Sequence, residues 1–158
     1  MQNLPSLRTH EVSGLTELGK MYRFKVRAYN HEGYTDSDPF LAVYLSDEPD
    51  TPTEGPLPVA RLTNEQQITV TFGPQSVDKN GGSPLLSYDL QMDDGIGGDF
   101  SSLVGFEHDS LETIFTVTQA MNQRITSGAI FRFRYRVRNV NGWSLFSPIT
   151  HVKAATVP

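Results

Sequence analysis

Four arginines at alternate positions, Arg132, Arg134, Arg136 and Arg138, are interleaved with Phe131, Phe133, Tyr135 and Val137. Alternation of this kind puts the two sets on opposite faces of a β-strand. A row of guanidinium groups can clamp an anion, or it can stack on aromatic rings. The rings are close by in sequence, in Trp143-Ser144-Leu145-Phe146-Ser147. The spacing predicts a surface ladder in which Arg132, Arg134, Arg136 and Arg138 interleave with Trp143 and Phe146, each contact contributing about 0.5–2 kcal/mol. An anion- or ligand-binding patch is the alternative use of the same residues.

Other chemistry-bearing residues are sparser. Asp93, Asp94 and Asp99 lie in a glycine-rich run, DDGIGGD. Clustered carboxylates beside glycine can hold calcium, but the spacing does not fit an EF-hand loop and no glutamate closes it, so a solvated hairpin turn is expected. Asp47, Glu48, Asp50 and Glu54 are interspersed with prolines, which predicts a spacer rather than a cation bridge. His10, His31, His108 and His151 are scattered without metal-ligand spacing. Asn80-Gly81-Gly82 precedes no helical pattern and is no phosphate cradle. No G-x-S-x-G elbow and no serine–histidine–carboxylate order is present. The sequence therefore names no catalytic residue, no metal ligand and no cofactor, and it reads as a non-enzyme.

Composition narrows the partners. The chain has 158 residues and a net charge of −5, which argues against nucleic acid or anionic lipid as a general partner, since both call for a positive field. Apolar residues make up 37% and charged residues 20%, which places it with globular rather than disordered chains. It contains no cysteine, hence no disulfide and no thiolate metal site. No apolar run approaches the roughly 20 residues of a membrane span, and MQNLPSLRTHEV has no signal-peptide core. There is no N-x-[ST] sequon and no RGD sequence. Protein partners are expected, with no nucleic acid and no membrane insertion.

The elements that would position these residues are strands throughout. Leu7–Leu15 is a weak candidate. Met21–Tyr29 alternates, with Tyr22, Phe24, Val26 and Ala28 opposite Arg23, Lys25 and Arg27; a turn at Asn30–Gly33 follows, and Phe40–Leu45 is the next strand. After the proline-rich segment come Val59–Leu62, Gln67–Phe72, Leu85–Met92, Phe100–Phe106, Thr113–Thr118, the arginine strand and Ile149–Ala155. Short strands at this spacing, with no helical periodicity, predict an all-β sandwich.

The chain also repeats itself. Shifted by 109 positions, Tyr22–Pro39 falls on Phe131–Pro148, with Asn30 on Asn139 and Gly33 on Gly142. ITVTF, GGSPLLSYDLQM and FRFRYRVRNVNGWSLFSP together resemble strands B, C and F–G of fibronectin type III repeats. The resemblance implies an immunoglobulin-like sandwich: a partial unit over residues 1–46 with only E, F and G strands, a linker over 47–56, and a complete domain over 57–158. It implies that Phe72 stands where strand B usually has tryptophan and that Tyr88 is the core tyrosine of strand C. Tyr22 fits the tyrosine corner, whereas Phe131 lacks the hydroxyl. Trp143–Ser147 resembles the WSxWS feature of cytokine-receptor domains, with Phe146 for the second tryptophan. In the first unit Tyr34, Asp36 and Asp38 point instead to an ion-paired version of the ladder.

The shortened first unit has three readings: a piece of a longer array, completion by strands of another chain, or packing foreign to the family. The resemblance implies a spacer, adhesion or filament component of a longer repeat protein in an extracellular or cell-surface setting. A receptor-like binding domain and an accessory module of an enzyme are the other classes.

Overall fold

The computed structural model describes residues 8–156. The chain divides into two compact units, the first ending at Leu45 and the second beginning at Ser46.

The first unit is a hairpin built in two stages. β1 (Met21–Phe24) and β2 (Arg27–Asn30) run out, and β3 (Gly33–Asp36) and β4 (Leu41–Tyr44) return. β2 pairs with β3 next to the turn, and β1 pairs with β4 at the open end. The predicted strand Met21–Tyr29 is thus interrupted at Lys25-Val26, where a serine stands in for a ladder carbonyl. Val26 N–H donates to Ser37 Oγ at 3.0 Å, and Ser37 N–H returns to the Val26 carbonyl at 2.8 Å. β3 is a strand that the alternation pattern did not reveal. The expected strand at Leu7–Leu15 does not form over Arg8–Leu15, and Leu7 lies outside the described residues.

The second unit is a two-layer sandwich. One sheet runs in the order β5 (Leu57–Pro58), β6 (Gln67–Thr71) and β9 (Ile114–Thr118). The other runs β11 (Thr150–Lys153), β10 (Ile130–Arg138), β7 (Ser87–Met92) and β8 (Ser101–Val104). Residues 59–62, predicted as strand, form instead a short 3-10 turn at Ala60–Leu62 after the two-residue β5. Period-two alternation delivers one face of each strand to the space between layers. Ile68, Val70 and Phe72 meet Tyr88, Leu90, Met92, Phe131, Phe133, Tyr135, Val137, Val117 and Val152 in a single buried cluster. Phe72 lies 5.7 Å from Tyr135 and 6.3 Å from Tyr88, ring to ring, so an aromatic group fills the position where tryptophan is usual. Phe131 is fully buried.

The acidic, proline-rich segment is hydrogen-bonded to loops of the second unit. Asp47 N–H donates to the Gly81 carbonyl at 2.8 Å and Asp50 N–H to the Lys79 carbonyl at 3.0 Å. The Asp47 carbonyl accepts from Asn139 Nδ2 at 2.7 Å and Asn141 Nδ2 at 3.0 Å. Prolines bar the segment from a ladder, but side-chain amides and loop carbonyls take the bonds that a ladder would have made.

The repeat is structural as well as sequential. Met21 faces Tyr44 as Ile130 faces Lys153, and Phe24 faces Leu41 as Phe133 faces Thr150, the same register 109 positions apart. Asn30 Oδ1 accepts from the Glu32 and Gly33 amides, as Asn139 Oδ1 accepts from Asn141 and Gly142. The two asparagines differ in burial: Asn139 is fully enclosed and Asn30 is exposed. Asn139→Ala strands the Asn80 carbonyl, leaves the Asp47 carbonyl with Asn141 alone, removes the acceptor of the Asn141 and Gly142 amides, and is expected to destabilise the second unit by about 3 kcal/mol. Asn30→Ala should cost the first unit about 1 kcal/mol or less and leave the second unchanged. Urea unfolding of each variant measures both.

Candidate functional site

The arginine ladder occupies the outer face of the four-stranded sheet. β10 is nine residues of unbroken alternation, so burying Phe131, Phe133, Tyr135 and Val137 turns every arginine outward. The aromatic rings come from two directions. Phe146 and Trp143 arrive on the segment after the turn, held edge-on to β10 by two serines. Val137 N–H donates to Ser144 Oγ and Tyr135 N–H to Ser147 Oγ, both at 3.1 Å, and each serine N–H returns to the corresponding carbonyl. Phe100 and Phe106 arrive beside β8.

The result is a continuous stack. The Arg134 guanidinium carbon lies 4.1 Å from the Phe100 ring centre and 3.8 Å from that of Phe146. Arg136 lies 4.6 Å from Phe146 and 4.6 Å from Trp143, and Arg138 lies 5.5 Å from Trp143. Arg132 closes the other end over Phe100 at 5.1 Å. All six ladder residues identified from sequence therefore meet, and Phe100 and Phe106 join them.

Polar partners come from the neighbouring strand. β7 is antiparallel to β10 and places Gln91 opposite Arg134 and Asp89 opposite Arg136. Arg134 Nε and Nη2 donate to Gln91 Oε1 at 3.0 and 2.9 Å. Arg136 Nε donates to Asp89 Oδ2 at 2.9 Å. Arg132 Nε donates to Asp93 Oδ2 at 2.8 Å, and its backbone N–H to Asp93 Oδ1 at 2.9 Å. Arg138 pairs with Asp109. Asp89 is fully buried and Asp93 nearly so. Desolvation between the rings, with Arg136 adjacent, lowers the Arg134 pKa, though a guanidinium stays charged. Burial raises the Tyr135 hydroxyl.

These counter-ions escaped the sequence reading because β7 was read for its apolar phase. The signal was there: Asp89, Gln91 and Asp93 alternate with Tyr88, Leu90 and Met92. The solvated turn expected for Asp93, Asp94 and Asp99 is corrected at Asp93, which lies beneath Arg132. Asp94 closes the loop instead, its Oδ1 accepting from Gly98 N–H at 2.8 Å and Ile96 N–H at 3.1 Å. Those bonds, with Arg124 nearby, hold Asp94 below the usual carboxylate range.

The first unit carries a shorter version. Arg27 lies 4.2 Å from the Tyr34 ring, at the positions of Arg136 and Trp143, and Arg23 lies 4.7 Å from Phe40. Arg27 Nη2 also donates to Asp36 Oδ2 at 2.8 Å, which raises the arginine pKa and lowers that of the acid. Stacking and ion pairing thus coexist there. Among the described residues the Tyr22 hydroxyl makes no hydrogen bond, so the corner bond expected of Tyr22 is not formed. Tyr88 Oη, in contrast, accepts from Gln75 N–H at 3.0 Å.

Domains of titin superpose on 89% of this chain with a TM-score of 0.63 at 19% identity, covering 43% of that structure. The sixth fibronectin type III domain of human fibronectin type III domain containing protein 3 covers 72% of this chain with a TM-score of 0.53 at 16% identity, over 92% of that domain. The chain carries the fibronectin type III fold. The FN1–FN3 domains of chicken CNTN1 superpose on 88% of it with a TM-score of 0.54 at 12% identity, covering 45% of that structure. In sequence, mouse (Mus musculus) fibronectin type-III domain-containing protein 3A is 29% identical over 138 residues, which is 87% of this chain and 10% of that protein. The chain thus spans about a tenth of that curated relative's length. No family model matches.

Two tests follow from the type III ladder. Arg136→Ala leaves Asp89 buried without its cation and is expected to cost about 4 kcal/mol, against about 2 kcal/mol for Trp143→Ala, which removes stacking but strands no charge. Thermal unfolding followed by circular dichroism ranks them; an unchanged melting temperature for both sinks the ladder as a stabilising element. Because the folded pKa of Asp94 is depressed, its contribution is complete above the ordinary carboxylate pKa of about 4 and is lost as pH falls through the lower folded value. Asp94→Asn should therefore flatten the acid limb of the stability curve, read from Trp143 fluorescence.

Proposed function

We propose that this chain is a non-catalytic structural and interaction module of a longer repeat protein, serving as a spacer, adhesion or filament component. In this reading residues 57–158 are a complete repeat, residues 1–46 are the back half of another, and residues 47–56 are the junction between them. The observation that carries it is the reach of the sequence match. The 138 residues aligned with a multidomain type III protein exceed the length of either unit, so the likeness runs through both. The matching register of the two hairpins supports the same reading, because consecutive repeats share a strand plan rather than a ligand. Partners are proteins, held through the first unit or by head-to-tail contacts between repeats. The ladder's role is stabilisation of the outer sheet, since its arginines already have side-chain acceptors within the domain.

A modular chain behaves as a sum of its units. Residues 46–158 expressed alone are expected to fold and to unfold at the same denaturant midpoint as the corresponding transition of the full chain. A second unit that is unfolded by itself, with no cooperative transition in urea, overturns the modular reading.

A further inference from the structure

The chain contains two asparagine–glycine pairs, Asn80-Gly81 and Asn141-Gly142. A glycine after asparagine leaves the next backbone nitrogen unhindered, because no Cβ stands beside it. That nitrogen can close onto the asparagine side-chain carbon and expel the amide as ammonia. Both pairs lie against the start of the proline-rich segment, and their surroundings differ.

Asn80-Gly81 is locked. The Asn80 carbonyl accepts from Asn139 Nδ2 at 2.9 Å, and the Gly81 carbonyl accepts from Asp47 N–H at 2.8 Å. Asn80 Oδ1 accepts from Gly82 N–H at 2.9 Å. Gly81 is buried, and a methyl group there would collide with the Asp47 and Glu48 carbonyl oxygens. Ring closure rotates this peptide, so the surrounding loop must open first. Asn141, in contrast, is exposed. The Gly142 N–H is held only by a long bond to Asn139 Oδ1, 3.3 Å. The space beside Gly142 is bounded by the Glu48 carboxylate, the end of a flexible, exposed side chain. One bond restrains the Asn141 amide itself, from Nδ2 to the Asp47 carbonyl at 3.0 Å.

We propose that Asn141 is a deamidation site whose conversion releases the proline-rich segment from the turn after β10. The Gly142 nitrogen gives its proton to hydroxide and bonds to Asn141 Cγ; the Cγ–Nδ2 bond breaks and ammonia leaves. Water then adds to one of the two carbonyl carbons of the succinimide and breaks that carbon's bond to nitrogen. Opening on the side-chain side gives aspartate, and opening on the main-chain side gives isoaspartate. Water is the only co-reactant. The product cannot restore the lost bond, since a carboxylate has no proton to donate to the Asp47 carbonyl. It also faces Glu48 with a like charge. Isoaspartate in addition lengthens the main chain by a methylene and displaces the amides that Asn139 Oδ1 collects. Docking and reaction therefore oppose each other. The Asp47 bond restrains the amide while the segment is seated, and the reacted turn disfavours its return.

The full chain is aged in warm, mildly alkaline buffer and digested with trypsin, which places the two pairs on separate peptides, Asn80–Arg124 and Asn139–Lys153. Mass spectrometry should show Asn141 converting about tenfold or more faster than Asn80 in the folded chain, with the two rates converging in urea. Equal rates in the folded chain, or no conversion at Asn141, overturn the proposal. The converted chain is then separated by its added negative charge, and its amide exchange is followed by NMR beside that of Asn141→Asp. The Asp47 and Asp50 amides, which donate to the Gly81 and Lys79 carbonyls, should exchange about tenfold faster in both. The Val137 amide, bonded to Ser144 Oγ, should be unchanged and reports that the sandwich is intact. Unchanged Asp47 and Asp50 exchange in the converted chain overturns the release of the segment.

Discussion

The antiparallel pairing of β7 with β10 is the constraint on which the second unit depends. It sets Tyr135 beside Leu90 on the inner face and Arg136 beside Asp89 on the outer face. Both assignments come from one register. A slip of one residue sends the aromatic set to solvent and buries four cations, so core and ladder stand or fall together. Asp89 makes the constraint sharp, because a fully buried carboxylate is tolerable only where a guanidinium meets it. The outer sheet is consequently held by stacking and charge where a simpler sandwich would leave a plain polar surface.

Serine plays a less conspicuous part in both units. Beyond the paired ends of β10 and β11, and of β1 and β4, the returning chain diverges from its partner. Ser144 and Ser147 in one unit and Ser37 in the other offer a hydroxyl where a carbonyl would have stood. The partner N–H groups remain satisfied while the returning segment is free to bring Phe146 or Phe40 over the arginines. Ladder and diverging return are therefore linked.

The two hairpins show what a shared strand plan does and does not carry. Register, turn asparagine and the arginine–aromatic contact recur 109 positions apart. Burial does not recur, since it depends on what covers the hairpin. Asn139 donates to the Asp47 and Asn80 carbonyls because the proline-rich segment and a loop pack around that turn. Asn30 keeps the turn and, among the described residues, has no such surroundings. The first unit also draws its counter-ion from its own returning strand, Asp36, whereas the second draws Asp89 across the sheet.

Alternation along Ile130–Arg138 and Gln67–Thr71 made the strands, their inward faces and the all-β class legible, because side-chain period is a local property of the chain. The internal repeat and the six ladder residues were legible for the same reason. Asp89, Gln91, Asp93, Phe100 and Phe106 were not assigned to the ladder, because membership depends on which strand lies beside β10, a long-range fact that no local pattern encodes. The bonds of the proline-rich segment were not legible on similar grounds: proline says that no ladder forms, but not that Asn139 and Asn141 reach across to take the Asp47 carbonyl. Local periodicity and turn chemistry by themselves determined most of the strands, their inward faces and the repeated turn at Asn30 and Asn139. Tertiary structure alone decided which charges are buried and which rings they meet, since those follow from contacts between segments far apart in the chain.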